Sequence, residues 1–345
     1  MYNLRITIIY WLLVPQLSFA RDPSTTQIGQ QTLSFMDESR HRPVVTEVWY
    51  PTDDTLKASD RRFSPFIRQY TVRNGQLPTH RMPLIMVSHG TGGGRLTMEW
   101  LVQGLAQNGF IVAAVDHWGN TFDNKVPLEF LKPWERPLDI RFALTALLTN
   151  TPFSKVIDSR RIGAAGFSFG GYTVIALAGA VLDYKALLTY YKTKGRQEID
   201  IPELPGVAQH LDDPSLQAAI LKLPSLQDDR IRAFLAISPA LGQGFVRKGQ
   251  MEAIQEPVYI MGSQSDQMAP VKTNADHYHA LILGSGYYEF GGKTGHYVML
   301  NEAIEEVKKS NPIYFTDDPT VDRHQVHAEV IRLADLFFRE KLSSR

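Results

Sequence analysis

Unbroken apolar runs alternate with amphipathic stretches from about residue 83 onward, and that rhythm leaves few folds open to the chain. "PLIMVSHG" is continuously apolar, "RLTMEWLVQGLAQNG" has helical periodicity closed by Gly109, and "FIVAAVDHWG" is apolar again. The pattern repeats through helix "RPLDIRFALTALLTN", strand "RIGAAGF" and helix "GYTVIALAGAVL". Strands "IRAFLAIS", "PVYIMGS" and "YYEFGG" follow, with helices near Val271 to Leu283 and Val321 to Leu342. Strands that are apolar at every position are buried on both faces, so the spacing predicts an α/β domain: a mostly parallel central sheet with helices on both sides. Ahead of it, "QTLSFMDESRHRPVVTEVWYPTD" reads as two antiparallel strands, and Asp54 to Arg81 as a polar, basic connector.

The rhythm breaks between Asp183 and Asp229, where short helical pieces alternate with prolines. This reads as an insertion above the sheet, either a cap or a plain surface excursion. Residues 1–20, "MYNLRITIIYWLLVPQLSFA", carry Arg5, an apolar run from Ile6 to Leu17 and the small-x-small ending Ser18-Phe19-Ala20. That is the pattern of a secretory signal peptide cleaved after Ala20, leaving a mature domain at 21–345 in the periplasm or outside the cell. The run is short for a membrane span and holds Pro15 and Gln16, so no stable span is expected after cleavage. Thirty-six basic residues balance 36 acidic ones, which gives nucleic acid no footprint, and the absence of cysteine removes disulfides and thiolate metal sites. Nothing in the sequence calls for a metal or an organic cofactor, and it does not fix an oligomeric state.

Within "RIGAAGFSFGGYT", Ser168 stands between strand and helix, flanked by Gly166, Gly170 and Gly171. A serine there sits on a sharp turn, with the helix N-terminus beside it favouring developing negative charge. If Ser168 is a nucleophile, three more features are required. Backbone donors for an oxyanion are expected from "VSHGTGGG" and from the residue after the serine, which selects the N–H groups of Thr91 and Phe169. His89 and Gly90 shape that loop, His89 as an orienting residue and not as the base. The loop lacks the spacing of a phosphate-binding glycine motif. An acid must follow the serine, and Asp266 in "QSDQMAP" lies just beyond a strand; the alternative there is an aspartate capping the next helix. Asp116, Asp139, Asp228 and Asp229 are worse placed. A histidine is needed after the last strand, and "GGKTGHYVML" supplies His296. His277 and His279 fall on different faces of a helix; His324 and His327 share one, with zinc as a remote option. The order Ser, Asp, His is that of a nucleophilic acyl-transfer site in which His296 is the base and Asp266 its orienter.

These segments, with "EVWYPTD", "AAVDHWGNT", "RPLDIRFAL" and "TGHYVML", resemble the α/β-hydrolase superfamily, and within it the bacterial predicted dienelactone hydrolases related to platelet-activating factor acetylhydrolases. The resemblance implies an α/β-hydrolase fold and a serine esterase acting on a small-molecule or lipid-like ester. Two departures limit it. Dienelactone hydrolases use a cysteine nucleophile where this chain has Ser168. The acetylhydrolase relatives carry their acid after the strand that follows the elbow helix, where this chain has "AISPALG" with Ser238 and Pro239 and no carboxylate. Lactone chemistry is therefore not carried over, and Asp266 remains as the acid. Tyr184, Leu187, Tyr190 and Tyr191 in the insertion either line an acyl pocket or pack against the sheet. A peptidase or amidase on the same fold would need amine-recognising carboxylates in the insertion, near Glu198 or Asp212. A catalytically silent binding module would not need an intact triad.

Overall fold

The computed structural model describes residues 27–220 and 225–343, so the segment at 1–20, expected to be a signal peptide, lies outside the described residues. A single nine-stranded sheet organises the chain, in the order β3-β1-β2-β5-β4-β6-β7-β8-β9. The strands are β1 (Gln27–Asp37), β2 (Arg42–Thr52), β3 (Val72–Arg73), β4 (Met82–Ser88), β5 (Ile111–Val115), β6 (Ile157–Phe167), β7 (Ala233–Ile237), β8 (Val258–Ser263) and β9 (Gly286–Phe290). β2 runs antiparallel to both β1 and β5, and every pairing from β5 to β9 is parallel. The carboxyl ends of the parallel strands therefore open on one edge, where α/β sheets hold their ligands.

Ten helices accompany the strands among the described residues: α1 (Glu99–Gln107), α2 (Glu135–Thr149), α3 (Phe169–Leu177), α4 (Tyr184–Thr193), α5 (Arg196–Ile199), α6 (Pro214–Ile220), α7 (Ala275–Leu281), α8 (Glu305–Ser310), α9 (Pro312–Phe315) and α10 (Arg323–Lys341). Two cores explain the continuous apolar runs. Leu84 and Met86 of β4 pack with α2, α3 and α7 on one face, while Ile85 and Val87 pack with α1 and α10 on the other. Each core strand thus buries successive side chains in opposite cores, and neither face is left for polar residues.

The Asp183 to Asp229 region forms a third apolar cluster, in which Tyr184, Leu187 and Tyr191 pack on Phe130, Leu131 and Trp134. These aromatic residues therefore meet the loop that leads into α2 instead of the sheet. The connector from Asp54 to Arg81 does more than link elements. It contributes β3 beside β1, and Phe66 forms an antiparallel bridge with Ala303.

Candidate active site

Ser168 occupies the turn between β6 and α3 with φ 57° and ψ −116°, a left-handed conformation unusual for a residue with a Cβ. Its N–H extends the ladder to Ile237 O at 2.9 Å, and its carbonyl accepts from Tyr172 at 3.1 Å and Ala240 at 3.0 Å. The flanking glycines are steric necessities: a Cβ on Gly170 would lie 1.9 Å from Ser88 O, and one on Gly166 2.1 Å from Gly170 O. The turn is tight enough that only hydrogen fits at these positions.

His296 comes from the loop after β9 and Asp266 from the loop after β8. His296 Nε2 lies 2.9 Å from Ser168 Oγ, and His296 Nδ1 lies 2.6 Å from Asp266 Oδ2. A carboxylate only accepts, so the network assigns the ring proton to Nδ1 and leaves Nε2 to accept from the serine hydroxyl. Asp266 also does what a helix-capping aspartate would do, because Oδ1 accepts from Met268 N at 2.9 Å and Ala269 N at 2.7 Å. Its two oxygens serve both roles at once. The two loops are joined by Ser265 N to Thr294 O at 2.9 Å and by Gly292 N to the Gln264 side chain at 2.6 Å. All three side chains, Ser168, His296 and Asp266, are buried.

Thr91 and Phe169 line the same cavity, and among the described residues neither N–H finds an acceptor. The neighbouring Gly92 N–H is taken by Asn120 Oδ1 at 2.8 Å. His89 lies beneath this loop, with Nδ1 2.6 Å from Gly90 O and Nε2 facing the His117 N–H at 3.3 Å. Burial, with the Arg136 cation nearby, pushes its pKa well below the ordinary histidine value, so it is a neutral loop support. His117, missed by pattern reading, bridges Ser88 Oγ at 2.9 Å and Asp139 Oδ2 at 3.0 Å.

The cavity has a volume of about 860 Å³ and reaches from Ser168 and His296 toward both the insertion and the connector. Its apolar walls include Phe63, Phe66, Phe122, Phe130, Tyr191 and Tyr314. Glu203 enters from the insertion: its carboxylate accepts from Tyr297 Oη at 2.8 Å, and a Cβ on Gly92, at φ 60°, would meet its Cβ at 2.8 Å. Desolvation raises the Glu203 pKa, partly offset by its own backbone N–H and by the Tyr297 hydroxyl.

The resemblance of the whole domain to a solved structure decides the architecture. A ferulic acid esterase from Streptomyces cinnamoneus superposes with a TM-score of 0.59 at 17% identity, over 92% of this chain and 91% of that one. The chain has the α/β-hydrolase fold. Residues 63–122 match the family described as platelet-activating factor acetylhydrolase, isoform II, a stretch holding β4, the His89 to Gly94 loop, α1 and β5. Two cutinases of Thermobifida alba, est1 and est2, are each 30% identical over 125 residues. That match covers 35% of this chain and 39% of each cutinase.

The histidines of α7 and α10 have structural partners. His277 Nε2 lies 2.6 Å from Phe245 O, His279 Nδ1 lies 2.8 Å from Ser285 Oγ, and His324 Nδ1 lies 2.9 Å from Glu302. His327 stacks on Trp100 with ring centroids 3.9 Å apart. Among the described residues no three His, Cys, Asp or Glu side chains gather to hold a metal ion. Of the rival carboxylates, Asp139 is held by Arg42 and His117, and Asp116 by Arg95. Ser238, at the alternative acid position, has φ 40° and lies with its Oγ 3.2 Å from Ser263 Oγ.

Proposed function

We propose that this protein is an exported serine hydrolase that cleaves carboxylic esters through an acyl-enzyme on Ser168. The observation that carries the reading is the continuous hydrogen-bonded chain from Ser168 Oγ through His296 to Asp266. In the mechanism, Ser168 Oγ attacks the ester carbonyl as His296 Nε2 takes its proton. The carbonyl oxygen becomes an oxyanion facing the Thr91 and Phe169 amides. The C–O bond then breaks, His296 returns the proton to the leaving alcohol, and water repeats the sequence on the acyl-serine. Asp266 keeps the imidazole in the required tautomer and stabilises the imidazolium.

An aromatic cavity of about 860 Å³ suits an apolar acyl or alcohol group. Short-chain acyl esters, oxidised or short-chain phospholipids and polyester fragments all fit that description, and the esterase names of the similar proteins support the class. The insertion at 183–229 acts as a cap, because Tyr191, Glu198 and Glu203 from it line the cavity. Export rests on the segment at 1–20; among the described residues no helix is long and apolar enough to cross a membrane.

A peptidase or amidase is the second reading, since Glu198 and Glu203 both reach the cavity from the cap. Glu198 is already held by Tyr190 and by Gln243. Glu203 is bound by Tyr297, which leaves little carboxylate free to capture an amine. The test is hydrolysis of p-nitrophenyl acetate, butyrate and octanoate by the protein from Arg21, beside the matching anilide and Ser168→Ala. Ester turnover lost in the alanine variant supports the esterase; anilide turnover of comparable rate favours the amidase. No turnover of either and no fluorophosphonate label on Ser168 would leave a binding module.

A further inference from the structure

The segment "RPLDIRFAL" opens α2, and the mechanism above makes no use of it. Arg136, in the first turn of that helix, is a fully buried cation. Among the described residues no carboxylate lies within 4 Å of its guanidinium: the nearby Asp139 is occupied by Arg40, Arg42 and His117. A buried charge without an ion-pair partner is costly, and burial lowers the Arg136 pKa to about 9, so the group is still charged at neutral pH. Its Nε has no acceptor. A side chain held at such cost needs a reason in the site above it.

Its contacts supply one. Nη1 donates to His89 O, and Nη2 donates to Gly90 O at 3.1 Å and to Asn120 Oδ1 at 3.0 Å. Gly90 O and the Thr91 N–H belong to one peptide group, and in a trans peptide they point in opposite directions. Pinning that carbonyl to Arg136, with His89 Nδ1 on the same oxygen, therefore aims the Thr91 N–H away from the guanidinium. Asn120 Oδ1 holds Gly92 N as well, so the next peptide is fixed by the same cation at one remove. The guanidinium carbon also lies 4.3 Å from the ring centroid of Phe169, the residue bearing the second free amide. One side chain thus reaches both arms of the oxyanion site.

We propose that Arg136 is the positioning residue of the oxyanion site, aligning the Thr91 and Phe169 amides and polarising the Gly90–Thr91 peptide toward the developing negative charge. A charged donor on the carbonyl strengthens the N–H on the other side of the same amide. The oxyanion is the counter-charge that the ground state lacks, so the interaction grows as the tetrahedral intermediate forms and acts on kcat. The inference rests on the esterase reading of Ser168.

The test compares Arg136→Met and Arg136→Lys with the wild-type protein on p-nitrophenyl butyrate, with urea midpoints measured in parallel. Removing one oxyanion donor costs about 100- to 1,000-fold in kcat. Arg136→Met should approach the lower end of that range with KM within about threefold, and Arg136→Lys, which keeps the charge but not the planar fork, should recover part of the loss. Affinity for a trifluoromethyl ketone, which forms a hemiketal oxyanion on serine, should fall with kcat, while affinity for the corresponding methyl ketone should not. A merely structural arginine would instead lower urea midpoint and active fraction together and leave kcat per labelled serine unchanged, which would overturn the proposal. If Arg136→Met does not fold, Arg136→Lys decides alone, because wild-type kcat and ketone selectivity in it would refute the role. Wild-type protein that neither hydrolyses the ester nor takes a fluorophosphonate removes the esterase reading and this inference with it. An active wild type matched by fully active variants removes only the inference.

Discussion

Replacing Ser168 by glycine should give a more stable protein than replacing it by alanine, although both variants lose the hydroxyl. Both substitutions delete Oγ and with it the 2.9 Å contact to His296, so that loss cancels in the comparison. What differs is the backbone. At φ 57° and ψ −116° a residue with a Cβ is strained, by roughly 1–3 kcal/mol, and alanine keeps that strain. Glycine relieves it but has a more flexible unfolded state, which costs about 0.5–1 kcal/mol. The difference leaves Ser168→Gly ahead by about 1 kcal/mol. Urea unfolding of the two proteins at one pH measures it as a shift in midpoint at equal slope. Both should be inert toward p-nitrophenyl esters. Alanine equal to or more stable than glycine would show that the turn is not held under strain, and the argument that the fold presents this serine at an energetic cost would fail.

Two further outcomes follow from the same geometry. Asp266→Asn would present an amide to His296 Nδ1 and favour the wrong ring tautomer; kcat should fall by about 10⁴-fold with little change in KM, read on p-nitrophenyl butyrate. Glu99, buried at the cavity wall with Arg68 3.7 Å away, has its pKa raised to about 7, chiefly by desolvation. Between the unfolded value near 4.5 and about 7 the folded state binds more protons, so stability falls as pH rises through that window. Glu99→Gln should therefore match wild type near pH 4 and be more stable by about 1–3 kcal/mol near pH 8; a difference in urea midpoint independent of pH would contradict this.

The parallel core and the serine turn were legible because they rest on local rules. Strands buried in two cores, such as Leu84 to Val87, must be apolar at every position, and Gly166 and Gly170 must be small because of backbone atoms close by. Asp266 and His296 could be placed by their position after β8 and β9 before any contact was known. The polar support of the loop was not legible. Arg42 reaches Asp139 across 97 positions, and both turn inward, so α2 carries charge on a buried face and its amphipathic pattern is weak. Hydrophobic periodicity treats such residues as solvent-facing. Asp139 is a poor rival for the acid in sequence, and its bond to His117 depends on tertiary contacts that periodicity does not carry. The connector misled for a related reason: Phe63, Phe66 and Arg68 sit among polar neighbours in sequence and line the cavity in space.

These supports make shape and chemistry inseparable at this site. Glu203 touches two of the loops around Ser168: its Cβ packs against Gly92, one residue beyond Thr91, and its carboxylate binds Tyr297, one residue beyond His296. Lys125 Nζ holds the same segment from below through Glu203 O at 2.7 Å. An insertion that only covered the cavity could shift without consequence for Ser168, whereas this one is in contact with the neighbours of Thr91 and of His296. A substrate that displaces Glu203 must therefore disturb the Gly92 and Tyr297 contacts together, so a change in the cap that widens the cavity for bulkier esters acts on kcat as well as KM. Arg136 holds the Gly90 carbonyl and Glu203 packs on Gly92. The loop is confined on two sides, and Phe63, Phe66 and Phe122 supply apolar wall elsewhere in the cavity.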